Sequence, residues 1–115
     1  MENNPGSLPA LKAEYDRLRK SLARIGYISQ GSVLQRSVEA SGRSGYQWTR
    51  KVAQRTITVS LSAPQFAAMQ QAVTNERQLW KTIQQMERVS RQIIFASTSD
   101  TQRRKRLTKK VLGVN

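Results

Sequence analysis

Six cations crowd between residues 103 and 110: Arg103, Arg104, Lys105, Arg106, Lys109 and Lys110. The last sixteen residues hold a single acid, Asp100, to set against them. Cations at this density repel one another, and a polyphosphate relieves the repulsion while releasing its own condensed counterions. The bland alternative is a solvated tail that keeps the protein in solution. A second cationic group lies upstream, interleaved with aromatics in Tyr46-Gln47-Trp48-Thr49-Arg50-Lys51. On an extended segment Tyr46, Trp48, Arg50 and Val52 share one face, so two rings could stack on bases while Arg50 reaches a phosphate. The competing reading puts Tyr46, Trp48 and Val52 in the core beneath a helix, with Arg50 at the rim. For Trp48 the core reading is preferred, because Trp is the largest apolar mass a small sheet can offer. Arg36, Arg43, Arg50, Lys51 and Arg55 form a basic rim under either reading.

The inventory for catalysis is poor. The chain has no histidine and no cysteine, which removes the commonest general base, the commonest nitrogen ligand for metals and all thiolate chemistry. The acids are Glu2, Glu14, Asp16, Glu39, Glu76, Glu87 and Asp100, and their spacing suggests no metal-binding cluster. Gly42 and Gly45 alone do not make a phosphate loop. A non-enzymatic protein without cofactor or metal is expected.

Charge indicates a class of partner. Residues 1–99 carry fourteen Lys/Arg against six Asp/Glu, the last sixteen residues six against one, and the 115-residue chain reaches +13. At a pI near 11.4 the molecules repel their own copies unless a polyanion or an acidic surface compensates. No apolar run approaches the roughly 20 residues of a membrane span, and the polar start Met1–Ser7 does not resemble a secretory signal. A soluble, cytoplasmic protein with no membrane partner is expected.

The elements that must position these residues are legible from periodicity. Residues 1–7 read as a flexible lead-in. Leu8, Leu11, Tyr15, Leu18, Leu22 and Ile25 recur at spacings of three and four, which predicts a helix over 8–25 that packs on another helix, with Gly26 as its left-handed cap. Strict alternation in Thr56–Leu61 and strand formers in Tyr46–Val52 predict two strands joined by a turn at Ala53-Gln54. Gly31–Val38 is a weaker first strand, and Ser41–Gly45 a loop. Ser62 and Gln65 have the spacing of a capping box that opens a long helix to about residue 96. Met69, Ala72, Leu79, Ile83, Met86 and Ile93 form its apolar side, and Trp80 with Met86 reads as core or helix interface.

The expected fold is therefore α+β. A single α-β-β-β-α domain spans 8–96, with a three-stranded antiparallel meander, a long helix pairing with the first, and a basic tail over 97–115. That tail is expected to be disordered alone and to gain helix on binding. Because the first helix is much shorter than the last and cannot cover it, a homodimer or a partner helix is also expected.

At Gly31-Ser32-Val33-x-x-Arg36, Tyr46-Gln47-Trp48-Thr49-Arg50-Lys51-Val52 and Thr56–Leu61, the chain resembles a family of small bacterial proteins of unknown function, often encoded beside transposase genes. The resemblance extends over residues 8–106. It implies a mobile-element setting, with a transposase or other protein as a further partner, and no mechanism. Members usually carry a Cys-Gly-Lys-x-x-Cys-x-Cys loop and a His-Gly-Pro-Tyr step, where this chain has Glu39-Ala40-Ser41-Gly42-Arg43-Ser44-Gly45. A metal knuckle of that kind cannot form here. The leading expectation is a nucleic-acid-binding accessory protein, for DNA or RNA, that uses the tail and the strand cations. The alternative is an interaction or oligomerisation module acting through the long helix.

Overall fold

The structure, a computed structural model, describes residues 6–36, 45–98 and 108–113. The lead-in over 1–5, the loop residues Ser41–Ser44, the strand end at Ser37 and Val38, and the cations Arg103–Arg106 lie outside the described residues.

A serine opens the first helix. Ser7 accepts a hydrogen bond from the Ala10 amide, and a proline in the first turn needs no donor, so α1 runs Leu8–Leu22. It stops three residues short of the expected end. The Ser21 hydroxyl donates to the Leu18 carbonyl at 2.6 Å, and the Ala23 and Arg24 amides turn back to Lys20 and Ser21. These three-residue bonds tighten and close the last turn. Gly26 is therefore not the helix cap, and its backbone is not left-handed. It lies instead against the Asn75 amide nitrogen, 3.2 Å from where a Cβ would stand.

Three strands follow: β1 (Ser32–Gln35), β2 (Tyr46–Val52) and β3 (Arg55–Leu61), antiparallel in the order β1-β2-β3. The meander is the expected one. Val52 pairs with Arg55 across a two-residue turn, where Ala53 (φ 50°) and Gln54 (φ 67°) both take positive φ. That conformation matches the twist of the strands, yet neither residue adopts it cheaply.

The expected capping box is present in full. The Ser62 amide donates to Gln65 Oε1 at 2.9 Å and the Gln65 amide to Ser62 Oγ at 3.2 Å. Helix α2 then runs Ala63–Ser97, about 52 Å at 1.5 Å per residue. A last turn, α3 (Lys109–Leu112), occupies part of the tail that was expected to be disordered. Local chemistry accounts for it: Thr108 Oγ1 accepts from the Val111 amide, and Gly113 closes the turn at φ 73°. Arg91 Nε on α2 also donates to the Leu112 carbonyl.

The chain divides into two compact units. One is built from α1 with the chain from Trp80 onward, the other spans Ile25–Leu79. In the first, α2 packs on α1: Leu11 and Val89 are buried, and Tyr15, Leu22, Ile83 and Met86 line a groove between the helices. Of the two readings of Trp80, core or helix interface, the core one fails: the side chain is 56% exposed. In the second, Leu61, Ala72 and Val73 are buried and the Phe66 ring meets Tyr46 at 4.7 Å between centroids.

Replacing Ala53-Gln54 by Asn-Gly should stabilise the protein by about 0.5–1 kcal/mol, because both new residues tolerate positive φ. Urea denaturation followed by far-ultraviolet circular dichroism measures the shift; an unchanged midpoint would contradict the turn geometry.

Candidate nucleic-acid interface

The pairing register sorts the sheet's side chains onto two faces. Val33, Trp48 and Val59 stand opposite one another, as do Arg50 with Ile57, Val52 with Arg55, and Gln35 with Tyr46 and Leu61. These residues share one face. Thr49, Lys51, Thr56, Thr58 and Ser60 occupy the other.

Coverage divides the first face along its length. At one end the Phe66 ring packs on the half-buried Tyr46, and Leu61 is closed off. Toward the hairpin the face opens: Val59 is 41% exposed, with Ile57 and Val52 each at 38%. Trp48 sits between, half-buried, with the Arg50 guanidinium carbon 5.6 Å from its ring centroid. The preferred core reading of Trp48 is thus half met, since one edge of the indole is held while the residue keeps solvent contact.

What holds the indole is backbone. Trp48 Nε1 donates to the Gln30 carbonyl at 2.9 Å. The neighbouring Gly31 has φ +107°, and a Cβ there would stand 2.4 Å from the Thr49 carbonyl oxygen and 2.6 Å from Trp48 Nε1. Only glycine fits. The segment leading to it is strapped to α2, with Asn75 Nδ2 donating to the Tyr27 carbonyl at 2.9 Å and the Ser29 amide to the Ala72 carbonyl at 3.1 Å. Gln71 in turn orients Asn75 through a 2.8 Å bond to its Oδ1. Sequence reading missed this support. A glycine two residues before an aliphatic strand position was its single visible signal.

The strand cations do not converge into one rim. Arg50 and Arg55 share the Trp48 face, diagonal to each other across the hairpin. Lys51 lies on the opposite face. The Arg36 amide bonds the Gly45 carbonyl, at the end of β2 about 20 Å from Lys51 at strand rise. Arg43 lies outside the described residues. Of the tail cations, Lys109 and Lys110 are placed, exposed on α3.

Three of the acids are drawn into local pairs. Asp16 accepts from Lys20 at 2.9 Å and Arg19 at 2.7 Å, and these hydrogen bonds, Lys20's first, hold its carboxyl below the ordinary value of 3.8. Glu14 lies 3.9 Å from Arg17 and Glu87 3.8 Å from Arg91. Strands β1, β2 and β3 contain no acid at all. Among the described residues no group of three or more potential metal ligands occurs, and no helix is long and apolar enough to cross a membrane.

No family model matches this chain, and neither a curated protein nor a solved structure does.

Gly31→Ala should destabilise the protein by at least about 2 kcal/mol, since the methyl collides with backbone and the φ is strained. Trp48 emission should shift to longer wavelength as its N–H loses Gln30. A variant with native stability and native emission would contradict the contact.

Proposed function

We propose that this protein is a non-enzymatic nucleic-acid-binding accessory factor. The net charge of +13 on 115 residues carries the reading. The pairing of Glu14, Asp16 and Glu87 within their own helices supports it, because the cationic excess is then left for a polyanion. Arg103–Arg106 with Lys109 and Lys110 supply affinity through counterion release, independent of sequence. Arg50 and Arg55 add cations beside Trp48. The resemblance noted above extends the proposal to a place beside a transposase or another nucleoprotein machine.

If about six phosphates are contacted, log affinity falls against log salt with a slope near −5 on duplex DNA. Fluorescence anisotropy with labelled DNA and RNA between low and moderate salt measures it, and a flat response ends the proposal. Truncation after Asp100 should flatten the slope by several units; an unchanged slope would move the phosphate contacts to the folded units.

One observation favours a second reading, an oligomerisation module on α2. Trp80 and Ile94 are 56% and 54% exposed on a helix much longer than α1. Fourteen residues apart, they lie about four turns along one side of the helix, where a single partner helix would meet both. Light scattering after nuclease treatment separates the two readings. A salt-resistant dimer that Trp80→Ala dissociates supports the module, and a monomer at all salt concentrations removes it.

A further inference from the structure

We infer that the open half of the sheet face, centred on Trp48, is a stacking platform for single-stranded nucleic acid. The inference rests on the proposed function and names the form of its ligand. Four observations, all within the unit Ile25–Leu79, lead to it.

The first is preorganisation. The indole of Trp48 is pinned at its N–H by the Gln30 carbonyl and wedged by Gly31, so presenting the ring costs little further rotamer freedom. The second is surroundings. Val59, Ile57 and Val52, each more than a third exposed, extend the apolar surface beyond the ring. A base has an apolar face of this kind to lay on it, and every base does, so the platform is indifferent to sequence.

Charge is the third observation. Arg50 and Arg55 stand on this same face, and no strand carries a carboxylate to repel phosphate. Arg50 already lies over the indole, where its planar guanidinium can stack on a base or swing to a phosphate. A face buried by an apolar protein partner would have to desolvate both guanidiniums. A nucleic acid meets them with its own charge.

Strandedness is the fourth. In a duplex the base faces are stacked inside the helix and offer edges and phosphates only. A half-buried ring flanked by more exposed aliphatic side chains gains contact from an unstacked base and nothing comparable from a groove. At Tyr46 the Phe66 ring, 4.7 Å away between centroids, already takes up part of the contact a base would use. The site therefore holds one strongly stacked base, flanked by phosphates at Arg50 and Arg55.

Trp48 and Trp80 are the only tryptophans of the chain, so Trp80→Phe leaves Trp48 as sole reporter. In that otherwise full-length protein, titration with a short oligothymidylate at low salt should quench Trp48 emission saturably. A duplex of the same length should leave it unchanged. Trp48→Leu should weaken oligothymidylate binding about tenfold or more while the dependence of affinity on salt stays the same, because stacking releases no counterions. Arg50→Gln should lower the salt slope by about one.

Silent Trp48 emission during salt-dependent binding of both nucleic acids would overturn the platform and leave the proposed function intact. Equal affinity of Trp48→Leu and the parent for oligothymidylate would do the same. Absence of binding to either nucleic acid in dilute buffer would remove both. The quenching measurement needs no change at Trp48, so it decides the matter even where Trp48→Leu fails to fold.

Discussion

One close approach organises the sheet unit: the indole N–H of Trp48 against the Gln30 carbonyl, allowed only because Gly31 has no Cβ. That contact holds the start of β1 beside the ring and sets the orientation of Trp48. The same strap is anchored on α2 by Asn75 and by the Ala72 carbonyl. A buried or half-buried donor that lost its acceptor would cost more than the bond contributes, so the geometry is held by the penalty for leaving it.

Such tethers matter because apolar burial is thin. Among the described residues the well-closed hydrophobic side chains are Leu11, Leu61, Ala72, Val73 and Val89, most of them small or medium in size. Capping at Ser62, strapping at Asn75 and the grip of Arg91 on the Leu112 carbonyl each place an element end where packing alone has little leverage. Electrostatics adds to the demand. A chain at +13 works against its own compaction, and local pairs such as Asp16 with Lys20 and Arg19 relieve only their own turn of helix.

Features with short-range causes were readable in advance. The capping box at Ser62 and Gln65, the alternation of Thr56–Leu61 and the two-residue turn at Ala53-Gln54 all depend on neighbours in sequence, and each took its expected form. Misreadings had longer-range or competing causes. Gly26 has the composition of a cap, yet Ser21 closes the helix earlier and Gly26 is taken up by Asn75, about fifty residues away. Alternation put Tyr46 and Trp48 on one face but had no means of showing that the Phe66 ring would pack on Tyr46. Helix in the tail was expected only on binding, because a run of cations masked the threonine and glycine that cap α3 in the chain alone.

By itself the sequence determined the charge, the absence of histidine and cysteine, the order of the elements and the face each strand residue occupies. These follow from composition and from the two periods of the backbone, which need no knowledge of the rest of the chain. Tertiary structure alone decided which part of the sheet is covered, why residue 31 must be glycine, and that Arg55 stands across the hairpin on the face of Trp48 and Arg50. Those facts depend on cross-strand register and on contacts between residues far apart in the chain, and no local pattern encodes a distance across space.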